Sequence, residues 1–115
     1  MQKAQQPGNA ELYKDLVNEE TNEELMPALD KYFKARTTEN LTEVVDGAID
    51  SIYVLAGLLN SLIGPDKAQQ CWNEVQNSNL SKIGPTGPIF REDGKILKAP
   101  GYFKPDLFSI LANVK

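Results

Sequence analysis

The sequence predicts an all-α fold of four-helix-bundle type, with a Gly/Pro-rich C-terminal loop region and a short terminal helix. Three observations predict it. A helical pattern from about Leu41 to Leu62, apolar in its second half, ends at Gly64-Pro65, a pair that stops a helix. Upstream, Asn9 can cap a segment of helix formers that includes Leu12, Leu16 and Leu25. Beyond Asn79 the period is lost among Gly84, Pro85, Gly87, Pro88, Pro100, Gly101 and Pro105. The 115 residues read as a single domain over 1–115, with 1–8 a loose polar arm and 83–105 the loop region.

Taken in order, the first helix starts at Ala10, and Pro27 should kink or end it, since proline lacks the amide proton and clashes with the preceding turn. A second piece from Ala28 to Ala35 carries Leu29, Tyr32 and Phe33, and a polar connection follows from Arg36 to Asn40. The helix from Leu41 to Leu62 is apolar nearly all round in its second half, and a helix apolar on every side is buried on every side. So short a chain has little material to surround it. A homodimer, or a dimer of dimers, is therefore expected. Asp66 can cap a third helix bearing Ala68, Cys71, Trp72 and Val75, with Cys71 and Trp72 expected in the core. Asp93-Gly94 suits a tight turn between two short extended pieces, and a last helical turn or two spans Asp106 to Asn113.

Composition excludes several chemistries. There is no histidine, which removes His-ligated zinc, Ser-His-Asp and Cys-His nucleophiles, and di-iron sites built on Glu-x-x-His. The lone Cys71 cannot form an internal disulfide. The first residues carry no apolar leader, and Ile52 to Ile63 is shorter and more polar than the ~20 residues a membrane span needs. A cytoplasmic protein with no membrane partner is expected. The net charge of −4 is unevenly divided. Glu11 to Asp50 holds eleven acidic and four basic residues, whereas Lys82 to Lys104 holds five basic and two acidic. An acidic half is a poor match for a nucleic-acid backbone, so no nucleic-acid partner is expected.

The acids are not spread as a solvated face would spread them. At about 100° per residue, Glu19, Glu20 and Glu23 share the side of the first helix that carries Leu12 and Leu16, with Glu24 at its edge. On the long helix, Glu43, Asp46 and Asp50 fall on one stripe with Tyr53, Gly57 and Asn60. Carboxylates gathered at one place raise one another's pKa unless a cation is present. Oxygen donors without imidazole or thiolate favour magnesium or manganese, held here between helices. The competing reading is that these acids pair with Lys14, Lys31, Lys34 or Arg36, or ring a wet interface.

Glu19-Glu20-Thr21-Asn22-Glu23 resembles the E-E-x-x-E motif of the all-α nucleotide pyrophosphohydrolases, the superfamily of MazG-like and phosphoribosyl-ATP pyrophosphohydrolases. Glu43-Val-Val-Asp46 resembles its second motif, E-x-x-D, and Asp50-Ser-Ile-Tyr53-Val54 the stretch after it. Ser78-Asn79-Leu80-Ser81-Lys82 and the run from Asp93 to Tyr102 are similar to the tail of a MazG-like branch.

The resemblance spans roughly residues 9–108. It implies magnesium-dependent hydrolysis of a nucleoside triphosphate between its α and β phosphates, giving a monophosphate and pyrophosphate, with nucleotide-pool house-cleaning as its use. It also implies Glu20, Glu23 and Asp46 or Asp50 as metal ligands, with Glu43 a further candidate. Glu19 becomes a second-ion ligand or the base that orients water. Lys82, Lys95 and Lys98 become phosphate-neutralising cations, with Asn79 and Tyr53 as ligand contacts. Two features depart from the pattern. Aligned on Asp50-x-x-Tyr53, the family's glutamate falls on Gly47. The N-terminus, too, leaves no room for the extra helix that many relatives carry. A non-catalytic helical assembly or regulatory protein that keeps the fold, and a phosphoribosyl-ATP pyrophosphohydrolase, are the alternatives.

Overall fold

The computed structural model describes residues 9–84 and 87–112. The arm read at 1–8, Pro85 and Thr86 of the loop region, and Asn113 at the end of the last helix lie outside the described residues. The chain is mostly helical with one small two-stranded sheet, and it divides into two compact units, one ending at Gly64 and the other starting at Pro65.

In the first unit, α1 (Ala10–Asn18), a π-helical turn (Glu19–Leu25) and α2 (Met26–Lys34) form one continuous helical run. Pro27 does not end it. The proline falls in the first positions of α2, directly after the π turn, where its missing donor coincides with the change of hydrogen-bond ladder. The run stops at Ala35, which is extended at φ −145° and ψ 100°. Helix α3 (Thr38–Leu80) then starts earlier than the apolar pattern suggests. Asn40 is why: its amide N–H donates to the Thr37 hydroxyl at 3.1 Å, and its side chain donates to the Ala35 carbonyl at 2.8 Å. The buried Asn40 side chain thus ties the end of one helix to the start of the next.

Up to Gly64, α3 carries three parallel stripes, each advancing in alternating steps of four and three residues. The middle stripe faces inward and is small or polar: Asn40, Gly47, Ser51 and Ser61 are buried, with Val44, Val54 and Leu58 between them half-buried. One residue before each lies the polar stripe with Glu43, Asp46, Asp50, Tyr53, Gly57 and Asn60. One residue after each lies a large apolar stripe: Leu41, Val45, Ala48, Ile52, Leu55, Leu59 and Leu62. All of these but Ala48 are exposed, Ile52 to 66%. The helix is therefore buried on one side only within this chain.

Glycines on two of these stripes, Gly47 on the middle one and Gly57 on the polar one, let backbones approach. Tyr13, 4% exposed, lies against Gly57, where an added Cβ would overlap Cε1, Cζ and Oη of the ring. At Gly47 a Cβ would stand 3.3 Å from Leu25 Cα. Tyr13 thus takes the place in the core that the helical period assigns to Leu12, which is exposed. An aromatic ring packed against a glycine buries more area than a leucine at the edge of the contact.

Helix α3 breaks at Gly64, whose φ of 80° and ψ of 162° are open to glycine and strained for other residues. Pro65 follows, so the stop read from this pair is real, although helix resumes over 65–80. Cys71 is buried in this second unit, whereas Trp72 is 57% exposed and not in the core. The tail is fastened to the helix by hydroxyls. Ser78 Oγ donates to the Phe103 carbonyl at 2.8 Å. Ser81 Oγ accepts from the Phe103 N–H at 3.1 Å and donates to the Ser78 carbonyl at 2.6 Å. The Asp106 N–H donates to Glu74 Oε2 at 2.8 Å. Between these points β1 (Ile89–Phe90) pairs antiparallel with β2 (Ile96–Leu97), Ile89 opposite Leu97. Gly94, at φ 90°, makes the turn, and Asp93 closes it by accepting from Arg91 and from the Lys95 N–H. The last helix, α4 (Leu107–Leu111), is capped by Asp106, which accepts from the Ser109 N–H at 3.2 Å.

Gly57→Ala is expected to lower unfolding free energy by about 1–3 kcal/mol, the usual cost of overpacking a closed contact. Gly47→Ala, with a looser contact, should cost less. Urea unfolding of both variants at equal m-value measures the difference.

Candidate metal centre

The π turn decides which side chains meet. The Met26 N–H donates to the Thr21 carbonyl, an i→i+5 bond, and the Thr21 hydroxyl donates to the Val17 carbonyl at 2.6 Å. An i→i+5 turn holds one residue more than an α turn, so the rotation per residue falls below 100°. Tyr13, Val17, Thr21 and Leu25 consequently keep one inward face in steps of four, where a straight α-helix would drift about 40° at each step. Their N-terminal neighbours Glu20 and Glu24 likewise share one flank.

The Glu20 carboxyl sits where that flank meets the polar stripe of α3. The side chain is half-buried, and its Oε2 is shut off from solvent with no hydrogen-bond partner. Partial burial holds its pKa above the usual carboxylate value, reinforced by the Glu24 carboxyl within hydrogen-bonding reach and by the charges of Asp50 and Glu19. Next to this cluster lies a pocket of about 370 Å³ lined by Glu23, Glu24, Lys31, Glu43 and Asp46, with Pro27, Ala28 and Gly47 as its apolar wall. Lys31 Nζ lies 3.1 Å from Glu43 Oε2, with both side chains largely in solvent. Glu24 belongs to both the cluster and the pocket.

The acids of the two helices therefore converge in the first unit. Asp50 stands beside Glu20. Asp46 and Glu43 line the pocket, and Glu43 is ion-paired, as the competing reading of these acids allowed for any one of them. Glu19 and Glu23 are exposed, and Glu23 Oε2 accepts from Asn18 Nδ2 at 2.9 Å. Tyr53, 74% exposed, is not inside the site. Gly47, where one alignment puts the family's glutamate, packs against Leu25, and a Cβ there would stand 3.3 Å from Leu25 Cα.

The basic candidates all belong to the second unit. Lys82 is half-buried and accepts from the Ala99 N–H at 3.0 Å through its carbonyl. Asn79 is exposed, with its carbonyl accepting from the Lys82 N–H. Lys95 is exposed, and Lys98 Nζ lies 4.7 Å from the centre of the Tyr102 ring.

Two residues of the site were not among those predicted for it, Glu24 and Lys31. Glu24 follows from the π turn, which an α-helical period cannot reveal. Lys31 lies twelve residues before its partner Glu43, too far for any local spacing signal.

Among the described residues no group of three or more Asp, Glu or Cys side chains is placed to hold a metal ion. The donors nonetheless suit a hard cation in kind. Glu20 Oε2 is a buried acceptor without a donor, facing a second carboxyl, and such an atom is costly unless a cation or proton satisfies it. Compared with protein-family models and with curated proteins, the chain matches none.

A carboxyl whose folded pKa is raised favours folding most when protonated. In chelator-treated protein, stability should therefore fall as pH rises from the ordinary value of 4.5 through the raised one. Glu20→Gln should flatten that slope. Thermal melts in EDTA across this range check it, and a wild-type melting temperature rising over the same interval contradicts the sign.

Proposed function

We propose that this protein hydrolyses (deoxy)nucleoside triphosphates at the α–β phosphate bond, with magnesium (manganese as a substitute) held by the carboxylates around Glu20. The observation that carries the reading is the partnerless Glu20 oxygen, set among acids from two helices whose order matches E-E-x-x-E and E-x-x-D. Glu20 and Asp50 would hold the ion, with Asp46 and Glu43 on the pocket side. A divalent ion there would supply Lewis-acid polarisation of the phosphates and an activated water. Glu19, exposed at the rim of the cluster, is suited to orient that water. Lys31 is a cation already in the pocket, able to leave Glu43 for a phosphate oxygen as charge redistributes.

The reading includes self-association. The large apolar stripe of α3 keeps a heptad-like spacing over three turns or more while facing solvent, as helices that pack on a like partner do. A second copy covering it would complete a four-helix bundle. By length and composition α3 could also cross a membrane, but the stripe that carries Glu43, Asp46 and Asp50 runs into its apolar stretch, and ionisable side chains inside a membrane are costly. A cytoplasmic enzyme acting on soluble nucleotides fits this best.

Incubation with magnesium and a panel of ordinary and modified triphosphates should yield monophosphate and pyrophosphate, and Glu20→Gln should abolish it. Diphosphate plus phosphate would refute the stated bond. No turnover of any triphosphate would leave a helical assembly protein. Separately, Leu55→Asp with Leu59→Asp should convert the oligomer to a monomer in light scattering, with helical circular dichroism retained.

A further inference from the structure

The exposed apolar stripe of α3 differs between its two halves. From Thr38 to Asp50 the helix carries four acids, Glu39, Glu43, Asp46 and Asp50, and no basic residue. From Ser51 to Pro65 the sequence has no charge at all. Shape differs as well. Along the N-terminal half runs an apolar groove of about 370 Å³, lined by Thr38, Leu41, Thr42, Val45, Asp46 and Ile49. That half also holds the stripe's one small residue, Ala48. Beyond Ala48 the stripe is made of the large, exposed side chains of Ile52, Leu55, Leu59 and Leu62.

These asymmetries decide how a second copy can lie on the stripe. In a parallel pair Ala48 meets Ala48 and leaves a void, groove meets groove, and the acidic halves repel. In an antiparallel pair with its two-fold axis at Ile52, each of these becomes complementary. Leu41 meets Leu62, Val45 meets Leu59, and the small Ala48 meets the large Leu55. The acids of one copy then face the uncharged half of the other, and the helix dipoles oppose. A two-fold at Ile52 is also the one that brings the whole stripe into the contact. We infer that α3 pairs antiparallel with α3 of a second copy about Ile52, and that the partner's C-terminal half closes the groove beside Asp46. The inference rests on the self-association in the proposed function and adds its direction and register. Asp46 also lines the carboxylate pocket, so the partner would stand at the edge of that pocket.

The test uses the full chain carrying Cys71→Ser and one spin label per copy, read by double electron–electron resonance. A label at Glu39→Cys should give an intermolecular distance of about 40 Å, because the two sites lie ~25 helical residues apart along the axis. A label at Tyr53→Cys, close to the two-fold, should give less than about 25 Å, a helix-to-helix spacing plus the labels. Short distances at both sites mean a parallel pair, and long distances at both mean another register; either overturns the inference and leaves self-association standing. An exchange of sizes gives a second readout. Ala48→Leu should weaken the dimer roughly 10-fold or more by overpacking against Leu55. Adding Leu55→Ala should restore it, with helical circular dichroism retained in both variants. A dimer strengthened by Ala48→Leu, as filling an Ala–Ala void would do, or one that Leu55→Ala fails to restore, overturns the pairing. A monomeric wild type defeats both the inference and the self-association. Triphosphate cleavage by a monomer or a parallel dimer defeats the inference and leaves the proposed reaction intact.

Discussion

The first unit depends on one constraint, the close approach of the α3 backbone to the helical run before it. Tyr13 on Gly57 and Leu25 against Gly47 are two contacts of the same kind, a large side chain on a residue that has none. With larger residues at those glycines, the polar stripe of α3 would stand farther from Glu20, and Asp50 would lose its electrostatic influence there. Ser51 serves the same end, turning its hydroxyl back onto the Gly47 carbonyl at 2.7 Å rather than outward. The arrangement concentrates like charge beside a closely packed core, which proteins tolerate where the charge has a use.

Much of this was legible in the residues. The Gly64-Pro65 break, the Asp93-Gly94 turn and the start of the last helix at Asp106 rest on local backbone chemistry, which short stretches of sequence encode directly. The convergence of acids from two helices was also legible, because Asp46 and Asp50 interrupt an apolar pattern. The parts that were not legible depend on tertiary context. Leu12 and Trp72 look like core residues by type, yet both are exposed: Tyr13 holds the buried position in place of Leu12, and of the expected pair only Cys71 is buried. Pro27 looks like a terminator but sits at a ladder change that tolerates it. The pairing of Glu20 with Glu24 was hidden because an assumed α-helical rotation puts Glu24 at the edge of the face.

Charge is distributed less freely than a count of residues implies. In the tail, Arg91 is held by Asp93, which lies below its usual pKa while the guanidinium is raised, and Lys98 rests over an aromatic ring. Much of the local positive excess is thus occupied in building the hairpin and its flank. In the first unit the reverse holds. Lys31 pairs with Glu43, but the acids nearest Glu20 have no basic partner among the described residues.

A π turn is an α-helix with one residue too many, the mark an insertion leaves in a helix that keeps its ends in place. Motifs spelled across it therefore have two rulers, one before the surplus residue and one after. A side chain from Glu19 to Leu25 thus points where a straight-helix count of its position does not put it.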